Sequence, residues 1–182
     1  MPLPNLSDEQ LTLVIQLVAA YIGQQREIYR PAALPLSQMQ RTAMLPFFSP
    51  STLDAARVVI LTGERVANPP FYAGLEKIGF EAGSLPDFTN MSAITFLDTV
   101  VTHGPYDDRL LFHELVHVAQ YEKLGLAEFA AKYVKGFLRG GSYEAIPLEV
   151  NAYELDGRFA AAPASAFSVH EEVQDWIDLE MF

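Results

Sequence analysis

FHELVHVAQY, residues 112–121, decides how this chain is read. His113, Glu114 and His117 stand in it as H-E-x-x-H. On a helix, residues four apart share a face, so the two imidazoles can aim nitrogens at one ion about 2.0–2.1 Å from each. Glu114 lies about a third of a turn round from His113, placed to take a proton from a metal-activated water rather than to share the ion. A metal that brings a water's pKa toward about 7 makes a nucleophile at neutral pH, which is machinery for hydrolysing a peptide or similar acyl bond. The plain alternative is two surface histidines in a chance pattern. These two sit in LLFHELVHVA, where burial of unpaired imidazoles would cost about 1–3 kcal/mol.

Two histidines are half a site, and the chain has no cysteine, so the remaining ligand is His, Asp or Glu. A metzincin has a third histidine six residues after the second; that position is Lys123. His103, between a strand and the motif helix, and His170, near the start of the last helix, are candidates more often found as surface residues. Glu149 is the better one. It follows Pro147, which suits a first helical position, and one helix and the Gly140-Gly141 turn separate it from the motif. Its helix can therefore return alongside the histidines. Otherwise Glu149 is simply an acid in a first helical turn, where the helix dipole favours it. His113, His117 and Glu149 would hold one Zn2+ per chain and leave a position open for water. Tyr143 and Tyr153 flank Glu149, and either phenol is a candidate donor to a developing oxyanion.

With 182 residues and no linker-like break, the chain reads as one domain, residues 1–182. Half of it is hydrophobic, enough for a packed core. Lys and Arg number 12 against 23 Asp and Glu, and a net charge of -11 repels phosphate backbones and anionic lipid, so neither nucleic acid nor membrane is an expected partner. Lys132, Lys135 and Arg139 read as a solvated helix face. The expected partners are a peptide or protein substrate and, at most, a docking protein. The start MPLPNLSDEQ has no basic n-region, and residues 11–22 are too short and too polar at Thr12 and Gln16 to span a bilayer. A cytoplasmic chain without a signal peptide is expected, with signal-independent export still open.

Ser7 to Gln10 forms a capping box that starts a helix over residues 8–29. Four prolines between positions 31 and 50 suggest an irregular crossing, followed by a short helix over 51–56. Residues 57–62 read as a buried strand, and 71–79 as at most a short helix. AITFLDTVVT, residues 93–102, alternates as a second strand, with Ile94, Phe96, Asp98 and Val100 on one face. The motif helix runs over 107–124 and ends at Gly125; another amphipathic helix follows to Gly140. A helix opens at Pro147, and a second capping box, Ser168 to Glu171, starts the last. The fold expected is α+β: mostly helical, with a small two- to three-stranded sheet packed on the H-E-x-x-H helix.

AITFLDTVVTHGPYDDRLLFHELVHVAQY resembles the peptidase-like core domain associated with extracellular contractile injection systems, where a strand and short loop lead into L-L-x-H-E-L-x-H-V-x-Q. LDAARVVILTG is similar to that family's upstream segment, so the resemblance covers residues 51–121. It implies a zincin-like metallopeptidase core over residues 51–182, preceded by an N-terminal helix and irregular segment over 1–50. YEAIPLEVNAY is similar to the Y-x-x-x-P-x-E-x-x-A pattern of related zincin-like proteins, whose glutamate is the third ligand, and this carries over onto Glu149 to give a gluzincin. Thermolysin-like gluzincins place an Asp four residues after that Glu to orient a ligand histidine. Here the position is Tyr153, with Asp156, on the same face, as a substitute. The resemblance also admits a catalytically silent metal-binding module that acts in docking or assembly. In an active enzyme the 93–102 strand would offer its edge to an extended peptide.

Overall fold

Ser7 opens α1 (Asp8–Tyr29) with a full capping box: its hydroxyl accepts from Gln10 N–H, and the Gln10 side chain accepts from Ser7 N–H. The helix belongs to a computed structural model that describes residues 3–81 and 83–182. After β1 (Leu34–Pro35), Ser37 and Gln40 repeat the same box and open α2 (Gln38–Met44) inside the segment whose prolines suggested irregular chain. Ser49 caps α3 (Pro50–Ala55), and β2 (Arg57–Ile60) follows at once. Beyond α4 (Tyr72–Lys77) come β3 (Ala93–Phe96) and β4 (Thr99–Thr102).

The sheet is therefore four-stranded and mixed, in the order β1-β2-β4-β3, where the sequence suggested two or three strands. β2 and β4 run parallel, while β1 and β3 pair antiparallel on the outside. AITFLDTVVT is not one strand but a hairpin, with Phe96 opposite Thr99. Leu97 takes a left-handed φ of 59°, which a Leu-Asp pair does not advertise, so the alternation that grouped Asp98 with Phe96 ends at the turn. Asp98 is held instead by α1: Arg26 meets both of its carboxylate oxygens at 2.9 and 3.0 Å, and Arg30 approaches to 3.3 Å. Burial would raise the pKa of Asp98, but these guanidiniums pull it below the ordinary carboxylate value. A depressed pKa adds stability above the unfolded value of about 4 that is lost as pH falls through the lower folded value. Urea unfolding between pH 5 and 2 should therefore show Asp98→Asn losing less stability on acidification than wild type, by about 1 kcal/mol. Parallel pH curves would show that the pair does not bear on folding.

Asp107 caps α5 (Asp108–Gly140) by accepting from Leu110 N–H. Gly125, at φ 73° and ψ 163°, breaks this helix where the sequence placed its end, so a first half carries H-E-x-x-H and a second half turns away. Gly141, left-handed, closes it, and a 3-10 turn at Tyr143–Ala145 leads into α6 (Pro147–Ala161). The return is tight. A Cβ on Gly136 would lie 2.6 Å from Pro147 Cδ, and one on Gly140 would lie 2.6 Å from Ala145 Cβ, so the bare backbone at these positions lets α6 come back against α5. Phe112 of α5 stacks on Phe159 of α6 with centroids 4.5 Å apart, while Leu115, Val116, Phe96, Val100 and Val101 fill the space toward the sheet. At α7 (Val169–Asp178) only half of the expected box forms: Ser168 Oγ accepts from Glu171 N–H. Among the described residues, no helix is long and apolar enough to cross a membrane.

Candidate metal centre

The first half of α5 presents His113 and His117 to α6, and the first turn of α6 brings Glu149 to meet them; all three are buried. His113 Nε2 and His117 Nε2 lie 3.2 Å apart, and Glu149 Oε2 is 3.4 Å from each. That oxygen has no hydrogen-bond partner. The three atoms form a compact triangle that could hold a metal ion.

The opposite ring nitrogens fix what this triangle offers. His113 Nδ1–H donates to Asp156 Oδ2 at 2.9 Å, and His117 Nδ1–H donates to Gln120 Oε1 at 2.9 Å. Gln120 cannot turn its amide round, because its NH2 group already donates to Leu148 O and Asn151 Oδ1. When neutral, as metal ligands must be, both imidazoles thus carry their proton on Nδ1 and point bare Nε2 lone pairs at the Glu149 oxygen. A cluster of acceptors without donors is unfavourable when buried, unless a cation joins it.

The chain matches no family model, no curated protein and no solved structure. Geometry and chemistry within this one chain therefore carry the reading of the site.

Asp156, which the sequence offered as a substitute for the acid missing at Tyr153, lies against His113, and its other oxygen takes a two-pronged grip from Arg109 at 2.8 and 2.9 Å. Arg109 and Asn151 were not singled out in the sequence, and Gln120 stood there only as the last letter of L-L-x-H-E-L-x-H-V-x-Q, with no role given. Only Gln120 left a trace, three residues past His117 and so on the same helix face. Loss of an orienting partner typically weakens metal binding 10–100-fold, and Gln120→Ala should fall in that range by calorimetry with the helical circular dichroism retained. Unchanged affinity would reduce Gln120 to a packing residue.

Glu114 sits beside the triangle, and its Oε2 accepts from Thr95 Oγ1 on β3 at 2.7 Å. Nothing in the sequence marked Thr95. Tyr143 borders the same space as Glu114 and Glu149, while the half-exposed Tyr153 ring rests on His113, with centroids 4.6 Å apart. His103 and His170 are engaged elsewhere. His103 donates from Nδ1 to Met91 O and accepts Val66 N–H at Nε2; His170 pairs with Glu122 at 2.8 Å.

The electrostatics follow from so many acids in one place. Burial would lower the pKa of His113, but Asp156 and then Glu149 raise it well above the ordinary imidazole value. His117 is raised too, by Glu149 against burial. Burial would raise the pKa of Glu149, yet the two imidazoles bring it down to about 2. The Tyr143 phenol is pushed well above its usual range, by burial first and the Glu149 carboxylate second, so it keeps its proton at neutral pH.

Proposed function

We propose that this protein is a zinc-dependent metallopeptidase of gluzincin type that hydrolyses peptide bonds at His113, His117 and Glu149. The donor triangle carries this reading. Ligands at about 2.0–2.1 Å from an ion lie about 3.3–3.4 Å apart when tetrahedral and about 2.9 Å apart when octahedral neighbours. Edges of 3.2, 3.4 and 3.4 Å suit the tetrahedral case, and two imidazoles with one carboxylate form a zinc donor set. A purely structural zinc needs a fourth protein ligand, and among the described residues the cluster contains three. The open fourth position favours catalysis over a silent docking module.

A bound zinc ion supplies Lewis acidity, which brings a water's pKa toward about 7 and polarises a scissile carbonyl. Glu114 does the proton work. Thr95 holds its Oε2, leaving Oε1 to receive a proton from the attacking water and pass it to the leaving amine. Tyr143 is the better placed of the two phenols to donate to the oxyanion, because it faces Glu114 and Glu149 and stays protonated. β3 is the outer strand, and with Phe96 paired to Thr99 the antiparallel alternation turns the backbone groups of Ala93 and Thr95 away from β4. Thr95 O already accepts from the Tyr121 hydroxyl, so the backbone of Ala93 is what an extended peptide would meet alongside Glu114. Elemental analysis of purified protein should find about one zinc per chain, and a chelator-sensitive activity should cleave a mixed peptide pool. Protein that stays metal-free in excess zinc would overturn the proposal.

A further inference from the structure

His103, a candidate ligand in the sequence, stands just past the end of β4 and ties two loops together. Its ring is fully committed. A backbone N–H can only donate, so Val66 N–H, at 2.9 Å, requires a bare lone pair on Nε2. The ring proton is then on Nδ1, and it goes to Met91 O at 2.6 Å. Arg65 Nη1, 3.3 Å from that nitrogen, finds no lone pair there and donates instead to Thr89 O at 2.9 Å. The backbone of His103 adds a further tie, its N–H donating to Ser92 O at 2.9 Å.

These bonds end on the entry to β3. Met91 O and Ser92 O are taken in succession, and the next residue, Ala93, is the first of the strand. The β3–β4 register stops there, at Ala93 opposite Thr102, so an outer strand without a further tie would fray from this end. The other side of the tie is firm, because Val66 is fully buried and its N–H sets the ring with Nδ1 toward Met91. Met91 and Ala93 border Glu114 on both of its sides, toward Glu149 and toward His113.

We propose that His103 is a positioning residue for the substrate: through Nδ1–H on Met91 O it holds the start of β3 so that Ala93 presents its backbone to an extended peptide. This rests on the metallopeptidase reading above. His103 acts through the backbone of its neighbours and not on the reacting atoms. A strand end that is already ordered spares the peptide the cost of ordering it on binding.

Two amides divide the bonds of the ring between them. Asparagine sets an NH2 group near the place of Nδ1 and keeps a donor for Met91 O, but leaves Val66 N–H bare; glutamine sets an oxygen near the place of Nε2, keeps Val66 N–H and releases Met91 O. Each variant loses one bond, so both should melt below wild type. On zinc-loaded protein, the affinity of acetyl-trialanine hydroxamate relative to acetohydroxamate isolates the share of the peptide backbone, since both carry the same metal-binding group. That ratio should stay at the wild-type value in His103→Asn and fall about three- to tenfold in His103→Gln, while acetohydroxamate binds all three proteins equally. An unchanged ratio in His103→Gln, or an equal fall in both variants, would reduce His103 to a structural part and overturn the proposal. Amide hydrogen exchange gives a reading that needs no metal: protection of the residue 103 N–H, which donates to Ser92 O, should persist in His103→Asn and drop in His103→Gln. Equal protection in the two would also count against it decisively. In wild type, which needs no variant to fold, the Ala93 amide should gain protection with acetyl-trialanine hydroxamate and not with acetohydroxamate; no gain would sink the proposal. If acetohydroxamate fails to bind zinc-loaded wild type, the metallopeptidase reading fails, and the exchange comparison alone decides whether His103 fixes the strand.

Discussion

Glu114→Gln is expected to lower peptide turnover about 10²–10⁴-fold, the usual worth of a positioned proton-transfer group, without loss of zinc. Glutamine keeps the volume of the side chain and can keep the contact with Thr95, now 2.7 Å, so the pocket should not rearrange. It cannot take a proton from water. The donor triangle is built from His113, His117 and Glu149, and Glu114 lies outside it. Measured together, kcat and metal content separate the possibilities. Turnover within tenfold of wild type would remove Glu114 as the base, and simultaneous loss of zinc would make it a ligand.

Glu149→Ala should act on the metal itself. It removes a corner of the triangle, 3.4 Å from both imidazoles, and should weaken zinc binding by more than the roughly 100-fold upper limit typical of orienting partners. Because a ligand that binds only the folded state stabilises by mass action, zinc at a thousand times its Kd should add about 4 kcal/mol to the wild type and far less to the variant. Thermal melts with and without zinc give the comparison. If zinc stabilises Glu149→Ala as much as wild type, the third donor is another residue.

Much of the scaffold was readable because local rules decide it. Ser7 with Gln10, Asp107 and Pro147 all start helices where their side chains or ring geometry require. α2 escaped notice because prolines around it outweighed a capping box at Ser37 that was equally visible. The hairpin in residues 93–102 escaped for another reason: Leu97 adopts a left-handed φ that its residue type disfavours, and Arg26 and Arg30, far away in sequence, hold Asp98 beside it. Around the triangle, His113 and His117 announce themselves by spacing. Thr95 and Arg109 reach the same place through tertiary packing, which leaves no local pattern. Gly136 is the extreme case: it helps to position Glu149 by having no side chain, so nothing chemical points to it.

Glu114, Glu149 and Asp156 are all buried around the imidazoles, and the Arg109 guanidinium pairs with Asp156. Three carboxylates against one guanidinium leave two formal negative charges, and a divalent cation would make the assembly neutral. Without the cation, the same neutrality is approached by protons on the imidazoles, which is why His113 holds its proton so strongly. Protons and a metal ion are thus alternative occupants of one site. Loading the metal near neutral pH is an exchange of ions in which the protein releases protons to its surroundings.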